Sequence, residues 1–379
     1  MIDDSVANVV AIVMTALFLG ILNSFQFAQT QLPPGSLPQI QLPLNPTTGS
    51  TGEDGPILKP GTIITSAIAP ISAWVAKLGH EHPLVGNIWA TGTQERVLPL
   101  DIARAAADAD VVLLGETHDN PDHHKLQAWL IRELAHLKKH PALVMEMIGA
   151  DKADALANVQ LASNVTADTI SSRIDWDNSG WPAWSMYRPI VSDALAANLT
   201  ILPGDAAKDQ IKQVSQAGLA ALSYSERVRL GLGGQLQAPL EAALTDEVKK
   251  AHCGLLPETG LGNMTQVQRF RDAVLADSVL KAVDKAGGSA LLIAGSGHIR
   301  NDRGVPLYLR TRASGLKIIT ILMTEVQNGI ENPEDAVPRD PSGKPAADYV
   351  WFTARSERPD PCIDLQKQLQ GQGQSNGAG

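Results

Sequence analysis

Two short apolar runs, each leading into a Gly-x-x-His motif, carry the residues best suited to chemistry in this sequence. Residues 111–114 precede Gly115-Glu116-Thr117-His118, and residues 291–294 precede Gly295-Ser296-Gly297-His298. A short apolar run bounded by glycine is typical of a strand buried on both faces of a parallel sheet. Each histidine would then follow the carboxyl end of its strand, where open α/β sheets bind ligands. The sequence therefore predicts that the two histidines converge on one site.

The densest polar cluster follows the first of these runs. It consists of Glu116, His118, Asp119, Asp122, His123 and His124. Imidazoles and carboxylates at a strand-to-helix corner could bind a divalent metal ion, or they could bring an anionic ligand to a helix amino terminus. In the alternative interpretation, Asp119 and Asp122 cap the helix while His123 and His124 are solvated. The sharp turn at the sheet edge favours a role in the site for Glu116 and His118.

Glu146 interrupts the apolar run 143–147. A carboxylate in a buried strand must be paired or must face a site, because burial of an unpaired charge is costly. Arg271, Arg300 and Arg303 are the candidate partners for a buried ion pair. Arg300 or Arg303 could equally bind a ligand carboxylate through the two-pronged guanidinium group.

Four aromatic residues surround Pro182 in one short segment: Trp176, Trp181, Trp184 and Tyr187. Large flat side chains near a crevice suit a flat apolar ligand. Tyr187 could also ligate ferric iron, as tyrosinate does in some haem proteins. The alternative is that the aromatic residues form part of the core. Outside this segment, His252 could be a ligand or could cap a helix.

The elements that must position these residues alternate between strands and helices. Strands are predicted at residues 111–114, 143–147, 200–202, 290–294, 317–323 and 348–353, and helices at residues 121–139, 183–198 and 265–285. Such alternation predicts an α/β fold with a mainly parallel β-sheet flanked by helices. Residues 208–262 fit the pattern poorly, and we expect them to form a smaller helical subdomain that covers one edge of the sheet.

The two ends of the chain differ from the middle. Residues 1–30 contain an apolar segment at 6–22, which indicates a signal peptide or a membrane anchor, although no lysine or arginine precedes it. Residues 31–71 are rich in proline and glycine and predict a disordered tether, and residues 356–379 predict a disordered tail. The folded domain is expected at 72–355, in an exported protein of the periplasm or cell envelope.

The charge and the cysteine content limit the classes of function that the sequence supports. The net charge is −9 and no basic stretch occurs, which excludes a nucleic-acid partner of the usual kind. Cys253 and Cys362 could pair in an oxidising compartment, but their separation of more than a hundred residues gives this pairing little support. The sequence contains no serine nucleophile elbow, phosphate-binding loop or dinucleotide fingerprint.

Several of these motifs, in the same order, resemble the ChaN-type haem-binding uptake proteins of the Tiki superfamily. The resemblance covers about residues 89–353 and rests on residues 113–120 with His123-His124, then Glu146-Met147, Trp184 to Pro189, His252-Cys253-Gly254, residues 268–272 and residues 295–306. The wider superfamily is similar to Tiki-like proteases, to erythromycin esterase-like enzymes and to TraB-like proteins. Members of the ChaN type are often lipoproteins, whereas this chain lacks a cysteine directly after its apolar segment.

The resemblance implies an exported haem-binding protein for haem or iron uptake rather than an enzyme. Haem would lie in the crevice at the carboxyl ends of the strands and could be shared across a homodimer, with the amino-terminal apolar segment as a contact to the membrane. The predicted haem contacts are Glu116, His118, Glu146, Tyr187, His252, His298 and Arg300. We expect the iron ligand among Tyr187, His118 and His298, with Tyr187 as the first choice.

Two other functions are compatible with the same residues. In the first, Glu116, His118, Glu146 and His298 hold a divalent metal ion that activates water in a hydrolase. In the second, the chain is a catalytically inactive scaffold of the same fold.

Overall fold

The computed structural model describes residues 71, 73–360, 362–363 and 366. The predicted signal peptide or anchor, nearly all of the predicted tether and most of the predicted tail lie outside these residues. Within the described part of the chain, no helix has the length and apolar character needed to cross a membrane.

The centre of the fold is an eight-stranded sheet with the strand order β2-β1-β8-β7-β3-β6-β4-β5. Its strands are β1 (Ile88–Ala90), β2 (Glu95–Val97), β3 (Val111–Glu116), β4 (Ala142–Gly149), β5 (Ile201–Asp205), β6 (Ala290–Gly295), β7 (Ile318–Glu325) and β8 (Tyr349–Thr353). The six strands from β8 to β5 are parallel, and β1 pairs antiparallel with β2 and β8. The predicted α/β class and all six predicted strands are confirmed.

Eleven α-helices accompany the sheet in the described residues. They are α1 (Pro99–Ala107), α2 (Pro121–His136), α3 (Ala153–Gln160), α4 (Ala167–Ile174), α5 (Trp184–Ala196), α6 (Lys208–Ala217), α7 (Tyr224–Leu230), α8 (Ala238–Ala251), α9 (Glu258–Lys285), α10 (Val305–Arg312) and α11 (Pro333–Ala336). Successive side chains of a strand point to opposite faces of the sheet. Val112 and Leu114 of β3 accordingly pack with α1–α5, whereas Val111 and Leu113 pack with α6–α10.

The helix after β3 begins as its sequence predicts. The Asn120 side chain accepts a hydrogen bond from the backbone N–H of Asp122, and proline occupies the first turn. The helix ends at His136 rather than at residue 139. Leu137 directly follows the last helical residue and is 45% exposed. Asp122 does not cap this helix, because its carboxylate accepts from the backbone N–H groups of Val75 and Ala76.

Residues 208–262 form α6, α7, α8 and the first turn of α9. The prediction that this segment is helical agrees with the structure, but the predicted position over a sheet edge does not. Its apolar side chains share one core with residues of β3, β4 and β6, and α6 and α8 contact α9. The segment thus lies on the same face of the sheet as α9 and packs against that helix.

The segment that follows β8 is fastened to the carboxyl edge of the sheet. The backbone N–H of Ser356 donates to Glu325, Arg358 forms ion pairs with Asp119 and Glu325, and Cys362 is disulfide-bonded to Cys253. Residues 356–360, which the sequence assigned to a disordered tail, are therefore part of the packed structure. The cysteine pairing, which had little support from the sequence, is formed.

We predict that removal of this disulfide lowers stability. A crosslink between residues 109 positions apart restricts the unfolded chain, and such crosslinks typically contribute about 2–4 kcal/mol. The free energy of unfolding of the Cys253→Ser/Cys362→Ser protein should fall by this amount in urea titrations. The wild-type protein should show the same fall in a reducing agent, which should leave the variant unchanged. Equal stability of the two proteins would contradict the prediction.

Candidate functional site

The two Gly-x-x-His motifs meet at the carboxyl edge of the sheet, as predicted. Strands β3 and β6 are parallel neighbours, so His118 and His298 leave the same edge. Glu146, from the adjacent strand β4, lies between them. One of its carboxylate oxygens is 3.3 Å from Nε2 of His298, and the other is 4.0 Å from Nε2 of His118. All three side chains are buried, so they form one enclosed charged cluster.

Gly295 at the end of β6 makes this convergence sterically feasible. A Cβ atom at this position would lie only 2.8 Å from Nε2 of His118, closer than real Cβ contacts allow. The backbone N–H of Gly295 also donates to Glu146 Oε2 at 2.6 Å. The glycine therefore lets the imidazole and the carboxylate approach the strand together.

Glu116 organises the half of the cluster around His118. Tyr187 Oη donates to Glu116 Oε1 at 2.7 Å, and Oε1 is 2.8 Å from Nδ1 of His118. Gln127 Nε2 donates to the other oxygen at 2.6 Å, and His124 Nδ1 is 3.3 Å from the same oxygen. Burial raises the pKa of Glu116, but the charges and hydrogen bonds of His124 and His118 hold that pKa well below its usual value. Glu116 is thus a carboxylate at neutral pH.

Arg271 of α9 neutralises the carboxylates at the floor of the cluster. Its Nη2 donates to Glu146 at 2.6 Å and to Asp205 at 2.5 Å, and its Nε donates to Asp205 at 2.8 Å. Burial raises the pKa of Glu146, but the positive charges of His298 and Arg271 bring it far below the usual value. Of the three candidate arginines, Arg271 is therefore the partner of Glu146.

His298 is held from its other side by Asp272. The distance from Nδ1 of His298 to Asp272 Oδ1 is 2.6 Å, and Gln268 Nε2 is 3.1 Å from the same nitrogen. Burial lowers the pKa of His298, but the Glu146 and Asp272 carboxylates outweigh it and raise the pKa to about 10. Burial raises the pKa of Asp272 to about 6, although His298 opposes the shift. His298 is therefore an imidazolium ion at neutral pH.

The sequence prediction missed Asp205, Asp272 and Gln127 as members of the cluster. Asp272 and Gln268 are four positions apart on α9, with Arg271 between them, so they share one face of a buried helix. This polar face of a buried helix was a sequence pattern from which Asp272 could have been recognised as a site residue. No sequence pattern indicated that Asp205 and Gln127 belong to the cluster. Their partners are revealed only by the packing of β5 and α2 against the site.

Two predicted residues have partners away from the cluster. Arg300 was a candidate for binding a ligand carboxylate, but its guanidinium group already donates to both oxygens of Asp302 and to the carbonyl of Arg339. His252 ends α8, where its Nδ1 is 2.6 Å from the carbonyl of Val248. This contact matches the capping alternative for His252.

His123 and His124 are buried rather than solvated. Nδ1 of His123 accepts from the backbone N–H of Thr117, and Nε2 of His124 is 2.9 Å from the carbonyl of His118. Each ring fastens the turn between β3 and α2, which fixes the position of His118. Asp119, the second predicted cap, instead pairs with Arg358.

The aromatic segment lies beside the cluster and has a fully buried part and a half-buried part. Tyr187 and Trp176 are almost completely buried, and their ring centroids are 4.9 Å apart. Trp181 is half-buried and meets the imidazole of His118 edge-on, with ring centroids 4.8 Å apart. Burial and the nearby Glu116 carboxylate raise the pKa of Tyr187 well above its usual value. Tyr187 is thus a neutral phenol that donates to Glu116, whereas ferric iron binds tyrosinate.

A crevice opens next to the cluster, at the carboxyl ends of β4 and β5. Its open volume, including the part continuous with solvent, is about 760 Å³. Glu146 and Asp205 lie at its inner end, and Ile174, Trp176 and Trp181 form an apolar wall.

The structure does not favour the metal-dependent hydrolase. Among the residues that it describes, no three His, Cys, Asp or Glu side chains form a group that could hold a metal ion. The four residues assigned to that ion are engaged with one another and with Tyr187, Arg271 and Asp272.

Comparisons with known proteins agree with this fold. Residues 102–309 match the family model described as haem-binding uptake, Tiki superfamily, ChaN. A solved structure of cofacial haem binding to ChaN of Campylobacter jejuni is 23% identical, with a TM-score of 0.51, and the match covers 70% of this chain and 95% of that chain. A search of curated proteins gave no match.

Two further solved structures are similar to a lesser degree. The type III effector HopBA1 is 13% identical, with a TM-score of 0.39, over 68% of this chain and 94% of that chain. A mutant of the erythromycin esterase EreC in its open conformation is 13% identical, with a TM-score of 0.33, over 69% of this chain and 81% of that chain. These TM-scores are too low to support an inference about function.

We predict that His298 makes stability depend on pH. Its pKa is raised from 6.5 to about 10 in the folded protein, so its contribution is complete below pH 6.5 and is lost as the pH rises through 10. His298→Asn should lower the free energy of unfolding by about 3–5 kcal/mol at neutral pH, because it leaves buried carboxylates short of a partner. This difference from wild type should shrink between pH 7 and pH 10 in urea titrations.

The matched control is His136→Asn, since the His136 side chain is 75% exposed. Its free energy of unfolding should stay within about 0.5 kcal/mol of wild type. A deficit of the His298→Asn protein that stays constant across the same pH range would show that His298 is not charged in the folded state.

Proposed function

We propose that this chain, which belongs to the haem-binding uptake family ChaN of the Tiki superfamily, binds haem and serves haem or iron uptake. The observation that carries the proposal is the family match over residues 102–309. That range runs from α1 to α10 and includes every residue of the buried cluster and the crevice beside it. The part of the chain that matches the family model therefore contains the edge of the sheet at which the site lies.

The residues of the crevice are chemically suited to haem. Haem is a large flat apolar ring with two carboxylate groups at one edge. Ile174, Trp176 and Trp181 offer an apolar and aromatic wall to such a ring. Lys152 and Lys208 at the mouth of the crevice offer positive charge to the carboxylates. Bound haem would supply an iron atom that accepts an imidazole or phenolate ligand.

We assign His118 as the iron ligand in place of Tyr187. Protein metal ligands of the histidine type usually have the second ring nitrogen hydrogen-bonded to a carboxylate, and Glu116 has this relation to Nδ1 of His118. His118 also contacts Trp181 and Glu146, both of which line the crevice. His298 suits the role less well, because the Glu146 carboxylate lies 3.3 Å from its Nε2 atom, closer than the 4.0 Å between Glu146 and Nε2 of His118.

This assignment predicts distinct spectra for two variants. Wild-type protein from haem-supplemented cells should show a Soret band and stoichiometric iron. His118→Ala should lower haem affinity at least about tenfold and shift the Soret band, and added imidazole should restore the band. Tyr187→Phe should leave the spectrum unchanged, because the buried hydroxyl only donates to Glu116.

The control for the histidine variant is His136→Ala, which changes an exposed ring and should bind haem as wild type does. Loss of the Soret band in a folded Tyr187→Phe protein, with an unchanged His118→Ala spectrum, would return the ligand role to Tyr187. Absence of haem from the wild-type protein would reject the proposed function. A homodimer that shares haem remains a prediction from the family resemblance.

Export to the periplasm or cell envelope is part of the proposal. Disulfides persist in oxidising compartments, and the Cys253–Cys362 bond is consistent with that environment. The apolar segment at residues 6–22 supplies a candidate export signal.

We predict that residues 1–70 direct export. A reporter enzyme that is active only outside the cytoplasm should be active when it is fused after residue 70. The same fusion without residues 1–30 should be inactive, because it lacks the apolar segment. Retention of the complete fusion in the cytoplasm would contradict export.

A further inference from the structure

We propose that Lys152 and Lys208 select ligands by their carboxylates, so that the crevice binds a porphyrin with two free propionate groups whether or not the ring holds a metal ion. The inference rests on the proposed function and deepens it. It assigns the specificity of the crevice to two residues at its mouth rather than to the iron ligand.

The two lysines stand at corresponding positions of neighbouring strands. Lys152 follows β4 and directly precedes α3, while Lys208 follows β5 and is the first residue of α6. Strands β4 and β5 are parallel neighbours, so both lysines leave the carboxyl edge of the sheet side by side. Both line the crevice, Lys152 half-buried and Lys208 exposed.

Neither ammonium group has a hydrogen bond or an ion pair to the part of the chain that the structure describes. Most other charged groups around the crevice are internally compensated. Glu146 and Asp205 at the inner end share Arg271, and Glu146 also faces the His298 imidazolium. Asp151 is the acidic residue at the mouth, so the two lysines leave a net positive charge there.

The distribution of polarity along the crevice defines the class of ligand. An apolar wall of Trp176, Trp181 and Ile174 accepts a flat ring, and the positive mouth accepts anionic groups at one edge of that ring. A neutral ring of the same shape would gain the apolar contacts alone. Because the lysines act on the propionates, the selection does not depend on the metal in the ring.

The experiment compares metal-free protoporphyrin IX with its dimethyl ester, which has the same ring and no carboxylate charge. Binding is followed by quenching of tryptophan fluorescence in the full chain. Wild-type protein should bind the diacid roughly two- to thirty-fold more tightly than the ester, as expected for two partly exposed ion pairs. The preference should weaken when salt is added.

Lys152→Met/Lys208→Met should lose this preference and retain its affinity for the ester. The matched control is Lys212→Met/Lys249→Met, which removes two exposed lysines outside the crevice and should keep the preference. Because the comparison of diacid with ester also works in wild type alone, it does not depend on the folding of a variant.

The outcomes separate this inference from the proposed function. Equal binding of diacid and ester by wild type would overturn the inference and leave haem binding intact. An unchanged preference in Lys152→Met/Lys208→Met would also overturn it. Binding of neither porphyrin, together with failure to bind haem, would reject both proposals.

Discussion

The buried carboxylate of Glu146 is the constraint on which the rest of the site depends. A charge in the middle of a parallel sheet is tolerated only when other groups compensate it. Arg271, His298 and the backbone N–H of Gly295 meet this requirement, each from a different element. Compensation of this one charge therefore links three features of the fold: the position of α9, the sharp turn after β6 and the glycine at that turn.

Around this carboxylate, the site has a rigid floor and an open side. Glu116 joins Tyr187, Gln127 and His118 into one hydrogen-bonded group, and Asp272 fixes His298. Such a network holds its imidazoles in defined orientations and leaves little freedom for rearrangement. The crevice at β4 and β5 adds apolar walls and a cationic mouth. This division is compatible with the haem binding that we propose.

Much of the fold could be predicted from local patterns. Six strands were recognised because each is a short apolar run, and α2 because Asn120 and Pro121 mark its start. Strands β1 and β2 were missed, since each has three residues and Glu95–Val97 is largely exposed, which leaves no apolar pattern. The site was predicted in part: His118, Glu146 and His298 were placed together, whereas Asp205 and Gln127 join them only through the packing of β5 and α2.

The sequence by itself determined the α/β architecture and the edge at which the site lies, because strand burial and strand direction follow from local composition. Only the tertiary structure decided which groups pair. Arg271 rather than Arg300 reaches Glu146, and Tyr187 donates to Glu116 inside the core. Pairing depends on distances of a few ångströms between residues remote in the chain. Those distances follow from helix packing on the two faces of the sheet, which spacing along the sequence does not record.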